Sequence, residues 1–317
     1  MTKLYASVTG TTNVQSVALT STYTNATDVA IIKAINTSLG IGSQITVDMG
    51  YVGNHAQLFT GYVKKIERSY PDNTYTITAF DVLTRAVDYF VVSTNPDAPF
   101  KRFQIAAETL IGEVLALAGL TNYFGDITNF IYGYTVPVEV NLTGAYDFCK
   151  QLSDLVAWHI YADQTGKVWF VDRKPYPVGG DTPVKTIAKE SIVNGVRTDS
   201  DDDIRNRIVV YGGNGVYAEA KASSPYLPAG FYKTAVMSAS FVDKQSVADN
   251  AAAYNLAKWN RLRSSYNISI LGDPDLASRQ VVTLATTPVA TTDDWFIYSC
   301  EHNLSNNGYL TNMELRK

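Results

Sequence analysis

The chain alternates apolar and polar residues over most of its opening quarter, the period-two pattern of strands with one buried face. Ile45-Thr-Val-Asp-Met49 alternates strictly, Leu58-Phe-Thr-Gly-Tyr-Val-Lys-Lys-Ile66 follows the Gly50-Tyr-Val-Gly53 turn, and Tyr75–Phe80 follows the Pro71-Asp-Asn73 turn. Three antiparallel strands in a meander are expected there. Residues 27–38 fit either a short helix or an extended arm. The period changes after Asn95-Pro-Asp-Ala-Pro99, where two prolines interrupt any regular element. Ile105, Ala106, Leu110, Ile111, Val114, Leu115 and Ala118 recur at three- and four-residue spacing, predicting a helix that Gly119 ends in the left-handed conformation. A second helix is expected behind Thr143 as N-cap, carrying Phe148, Leu152, Leu155 and Val156. A hairpin follows it, from His159–Ala162 through Gln164-Thr-Gly166 to Lys167–Val171.

Alternation returns at Ile204–Tyr211, Val216–Ala220 and Tyr232–Val242, and again in the closing runs that end at Tyr309–Leu315. One helix interrupts it. Ser246-Val-Ala-Asp249 reads as a capping box, and Ala248, Ala252, Leu256, Trp259 and Leu262 form the stripe. The pattern therefore predicts an α+β protein, predominantly antiparallel β, in three parts. Residues 1–95 form a β domain, to which strands near 204–212 are candidate additions. Residues 96–190 form an α+β domain of two helices and a hairpin, and residues 191–317 form a second β domain with a helix over 246–263. The order β-rich, α+β, β-rich is suggestive, yet no direct repeat of residue identity is visible.

Composition narrows the function classes. The 317 residues are 46% hydrophobic, 12% aromatic and only 18% charged, with a net charge of −4. That balance argues against an electrostatic nucleic-acid binder and against disorder. Two cysteines, Cys149 and Cys300, make neither a disulfide framework nor a cysteine-rich zinc module. The amino terminus lacks the apolar core of a secretion signal, and no apolar run is long enough to span a membrane. Residues 1–60 carry only Lys3, Asp28, Lys33 and Asp48 as formal charges, so a partner-facing surface is expected there.

Candidate chemistry does not converge. Cys300 and His302 share one face of a strand, but no third group is evident to orient them as a nucleophilic pair. Gly212-Gly-Asn-Gly215 mimics a phosphate-binding turn without the helix that such a site needs, so a hairpin turn is expected. Asp199-Ser-Asp-Asp-Asp203 has Ile204 where a calcium loop needs glycine, which leaves a solvated acidic loop. Glu108, Glu113, Asp88, Asp147, Asp154 and Asp163 offer no selectable carboxylate pair. No catalytic, cofactor-binding or metal residue is assigned, and no enzyme activity or cofactor is expected.

Several segments in order carry a resemblance. They are the 45–83 run, the helix ending Leu117-Ala-Gly119, the helix and hairpin at 143–171, and Asn206-Arg-Ile-Val-Val-Tyr-Gly212. The tail from His302 through Gly308-Tyr-Leu-Thr311 completes the set. Together they resemble the baseplate hub proteins of phage tails and contractile injection systems, the late-control protein D family. One position departs: in the family's Gly-x-x-x-Leu-x-x-Gly, here Gly272 to Leu276, Arg279 stands where the second glycine is usual.

The resemblance implies two tail-tube-like β-barrel domains per chain and a homotrimer that presents six similar domains to a six-fold tube. The implied partners are the chain itself, the tail tube protein, a spike protein and other baseplate proteins. DNA or tape-measure protein would pass through a central channel, whose lumen the acidic balance would make repellent to phosphates. The location would be a virion or injection-particle baseplate, assembled in a bacterial cytoplasm. A carbohydrate-binding tail adhesin is the alternative, and a cell-wall hydrolase a third.

Overall fold

A computed structural model describes residues 3–92, 100–261, 263–286 and 291–317. The Asn95–Pro99 punctuation and Leu262 of the expected helix stripe lie outside the described residues. The fold is α+β and mainly antiparallel β, as the alternation requires. Its largest element is one continuous twelve-stranded sheet, and we number only those twelve strands. The first six are β1 Leu4–Val8, β2 Thr11–Thr22, β3 Val29–Thr37, β4 Gln44–Tyr51, β5 Asn54–Ser69 and β6 Thr74–Asp81. The second six are β7 Lys185–Ala188, β8 Ile192–Ser200, β9 Arg263–Leu271, β10 Val281–Thr286, β11 Thr291–Ser305 and β12 Gly308–Arg316.

The meander at β4–β6 is present, with Ile45, Val47, Met49, Val63, Ile77 and Ala79 all turned into one core. Burying each larger aliphatic contributes about 1.5–3 kcal/mol. Residues 27–38 are neither helix nor arm. They contain β3, which lies between β2 and β6, because Ala30, Ile32 and Ala34 alternate into that core with polar or exposed neighbours.

The two halves of the sheet have the same topology. The first runs β1-β4-β5-β6-β3-β2 and the second β7-β10-β11-β12-β9-β8. The register also repeats. Thr20 faces Val29 and Val29 faces Phe80, as Thr198 faces Ser265 and Ser265 faces Arg316. Tyr62 faces Phe80 as Phe296 faces Arg316, and the irregularity after Val63 recurs after Ile297. Two differences remain: the irregularity between Val47 and Asp48 on β4 has no counterpart between β10 and β11, and β1 runs antiparallel to β4 while β7 runs parallel to β10. Among the described residues, no pairing closes either half into a barrel. The halves meet edge to edge instead, Ser16–Thr22 of β2 pairing antiparallel with Ser299–Ser305 of β11.

Two insertions build the remaining body. The first follows β6 and contains α1 Thr84–Asp88, α2 Ala107–Leu117, α3 Ala145–Leu155 and the hairpin His159–Ala162 with Val168–Val171. Gly119 does end the α2 region, at φ +76°. The second lies between β8 and β9. Its three-stranded sheet pairs Arg207–Gly212 with Tyr217–Lys221 and Thr234–Ala239, and α4 Gln245–Trp259 follows. Both insertions share one core, in which Leu110, Val114, Phe148 and Leu152 meet Ile208, Val210, Ala248 and Ala252.

Four expectations are corrected. The strand over 207–212 pairs only inside its own small sheet and does not complete the sheet of residues 1–95. Thr143 does not cap α3: its hydroxyl donates to the Asn141 carbonyl at 3.1 Å, and Gly144 holds the N-cap position. The capping box at 246 is not used either. Helix α4 opens one residue earlier, where Gln245 Nε2 donates to the Asp249 carboxylate at 2.8 Å. It ends at Trp259, well before residue 263, because Arg263 already belongs to β9.

Candidate functional site

The join between the two half-sheets is the most elaborate polar site in the described structure. Ser21 is the penultimate residue of β2, Asp28 precedes β3, Asp81 ends β6, His159 opens the hairpin, and Ser278 and Arg279 precede β10. Distant segments thus converge where both half-sheets touch the helical body. Arg279, whose side chain is 7% exposed, sits at the centre. Its Nε donates to His159 Nε2 at 3.0 Å, Nη1 to the hydroxyls of Ser21 at 3.0 Å and Ser278 at 2.6 Å, and Nη2 to the Thr22 carbonyl at 3.2 Å. The Asp28 carboxylate lies 3.7 Å from Nη1, and the Tyr161 ring lies 4.7 Å below the guanidinium.

The electrostatics follow from burial. Burial raises the Asp28 carboxyl, with Arg279 opposing the rise. Asp81 is raised well above the usual carboxylate range, first by burial and then by the charge of Asp28. Its two oxygens accept from the backbone N–H groups of Asp28 at 2.7 Å and Leu83 at 2.9 Å, which ties the start of β3 to α1. His159 is held well below its ordinary value by burial and by Arg279, so its Nε2 lone pair is free to accept. Tyr23 stacks on that imidazole with centroids 3.9 Å apart. The cleft above this cluster holds about 240 Å³, below the ~300–1,000 Å³ usual for small-molecule pockets. The arrangement locks three parts of the chain together. Asp28, read from sequence as one of few surface charges, belongs to this lock. No sequence pattern marks it, since its members are scattered from Ser21 to Arg279; only the departure at Arg279 hinted at the site.

The residues singled out from sequence lie apart and are satisfied individually. Cys300 Sγ is 3.3 Å from His302 Nε2, but that nitrogen is 2.9 Å from the Leu276 carbonyl and donates to it. The Tyr309 hydroxyl occupies Nδ1 at 2.7 Å. The imidazole therefore has no lone pair for the thiol, which burial pushes up. Gly212–Gly215 forms the hairpin turn, with Asn214 and Gly215 both at positive φ as a type I′ turn requires. In the acidic stretch, Asp199 accepts from Ser264, Asp201 pairs with Lys233, Asp202 accepts from Ser200 and Asp203 pairs with Arg263. Among the described residues no His, Cys, Asp and Glu side chains cluster as a metal site. Glu108 accepts from Thr128 and Glu113 from Arg102, so both carboxylates serve local structure.

Two exposed edges complete the picture. Strand β8 pairs with β9 on one side only, and Val193 to Asp199 are exposed throughout. The carboxyl half of β5 pairs with β6 on one side, while β4 covers the opposite side only as far as Tyr62.

The fold is similar to those of solved phage-tail proteins and of a type VI secretion component. A tail protein from Neisseria meningitidis matches with TM-score 0.72 and 11% identity, over 99% of this chain and 96% of that one. The 43 kDa tail protein of prophage MuSo2 from Shewanella oneidensis matches with TM-score 0.68 and 11% identity, over 99% and 98%. An Escherichia coli component of the type VI secretion system, itself described as similar to the T4 tail proteins gp27 and gp5, matches with TM-score 0.60 and 7% identity. It covers 98% of this chain and 76% of that one. No family model matches the sequence, and no curated protein sequence matches it.

Proposed function

We propose that this chain is the structural hub of a phage-tail or phage-like baseplate: a homotrimer around a central channel, adapting a six-fold tail tube to a three-fold spike. The observation that carries this reading is the duplicated half-sheet. A chain holding two equivalent six-stranded units, joined edge to edge, lets three copies present six similar units. That removes the symmetry mismatch with a hexameric neighbour while leaving a three-fold face for a spike. The fold likeness to tail proteins and to a secretion-system component supports the same role.

The partners in this reading are the tube protein, the spike protein and neighbouring baseplate proteins, with DNA or tape-measure protein as the cargo of the channel. The chain acts through assembly, without catalysis or a cofactor. The test is co-assembly of purified chain with its neighbouring tube protein. A complex of three copies on a six-membered tube end supports the proposal; binding in a one-to-one ratio with each tube subunit refutes it.

A further inference from the structure

The internal join specifies how one copy meets the next. We propose that the outer edge of β8 in one copy pairs antiparallel with the carboxyl half of β5 in a second copy, repeating between chains the β2–β11 pairing made within each chain. This rests on the hub reading above and adds the partner surface and its register.

The argument is one of equivalence. Strand β2 occupies in the first half-sheet the place that β8 occupies in the second, and β5 corresponds to β11. Within the chain, β11 is shared: β10 covers one edge up to Phe296, and β2 then covers the same edge from Ser299 to Ser305. On β5 the matching edge is covered by β4 up to Tyr62, and the Gly42 amide bonds the Val63 carbonyl at 2.8 Å. Beyond that point nothing described covers it. The equivalent of β2, namely β8, has its own outer edge open. Each open edge is thus the complement that the other one's counterpart already has.

The register follows from the ladders. Ala18 faces Ile31 and Ile31 faces Thr78, as Val196 faces Asn267 and Asn267 faces Glu314. Asn303 faces Leu310 as Ser69 faces Thr74, with both strands in step after the shared irregularity. The internal pair Ala18–Asn303 therefore maps onto Val196 of one copy opposite Ser69 of the next. The run continues as Arg197 opposite Arg68, Thr198 opposite Glu67, Asp199 opposite Ile66 and Ser200 opposite Lys65. Asp199 falls diagonal to Arg68, within reach on the same face, and already lies 3.5 Å from Arg197, which offsets the one like-charge pair.

The exposures agree. Val193 and Val196 are 64% and 66% exposed on a nine-residue edge strand, a surface that invites strand addition unless covered. Three copies then make three internal and three intermolecular joins, six in all, and the ring closes without a free edge at these strands.

The test is a cysteine pair in the full chain, Val196→Cys with Ser69→Cys. Antiparallel partners lie within disulfide reach. Mild oxidation should convert most of the chain into covalent dimers and trimers on a non-reducing gel. Gly195→Cys with Ser69→Cys places the thiols on opposite faces and should cross-link at least tenfold less. As a control, Ala18→Cys with Asn303→Cys should close within one chain. Light scattering before oxidation separates the two readings. Trimers that cross-link equally in both registers, or in neither, overturn the edge pairing and leave the hub standing; a chain that remains monomeric, alone and with its tube protein, overturns both.

Discussion

Gly42 and Arg279 occupy the same position in the two half-sheets. Both have left-handed backbones, at φ +82° and +72°, and both donate their amide to the strand across, to Val63 at 2.8 Å and Ile297 at 2.7 Å. The second half-sheet therefore keeps a glycine-type turn while using a residue that rarely adopts it. The backbone cost is about 1–2 kcal/mol, and the guanidinium that results holds the three parts of the chain together.

Removing that guanidinium should be costly. Arg279→Gly relieves the backbone but leaves Asp28 buried without its cation and His159 Nε2 without a donor. Breaking a buried pair in this way costs about 3–5 kcal/mol. The urea midpoint should fall accordingly, and Asp28→Asn added to it should recover at least ~1 kcal/mol. No recovery would mean that Arg279 acts through packing alone.

At the equivalent position the outcome should be milder. Nothing lies within 4 Å of a Cβ added at Gly42, so Gly42→Ala meets only the left-handed penalty of about 1–2 kcal/mol. Thermal unfolding should show a small drop, clearly less than for Arg279→Gly. A larger loss would show that the turn tolerates no Cβ, contrary to its twin.

Acid should weaken the second half-sheet through His302. Burial lowers its pKa from 6.5 to about 4, and the Leu276 and Tyr309 bonds fit the neutral ring. Between those values the unfolded chain takes up a proton that the folded chain refuses. This contribution is complete above pH 6.5 and is lost as pH falls, by about 3 kcal/mol on reaching pH 4. The raised carboxyls of Asp28 and Asp81 act with the opposite sign, their folded forms losing stability as pH rises above the usual carboxylate range. Comparing wild type with His302→Gln cancels them. The gap between the two should narrow from pH 7 to pH 4, and a gap independent of pH would remove His302 from the account.

The contrast between what was legible and what was not has a physical basis. The meander at 45–80 and the α2 stripe showed because one face of each is uniformly apolar. Residues 27–38 did not, because Ile31 and Ile35 place apolar side chains on the outward face beside Lys33, and only Ala30, Ile32 and Ala34 mark the inward one. Capping was misread at Thr143 and Ser246 because a hydroxyl has several nearby backbone partners, and spacing does not choose among them. The duplication was hidden by its own chemistry. Equivalent positions such as Val47 and Leu284, or Ile77 and Met313, share apolarity rather than identity. An insertion also separates β8 from β9, while only residues 23–28 separate β2 from β3. Of the polar lock only the departure at Arg279 was legible, since the rest exists only after three segments meet.

The claim that three chains emulate a hexagon is tested most directly by electron-microscope class averages of the isolated particle viewed down its axis. An annulus with three-fold symmetry and a strong sixth rotational harmonic in its inner wall is the expected image. Particles of one or two copies, or a ring whose inner wall carries the third harmonic alone, would contradict it.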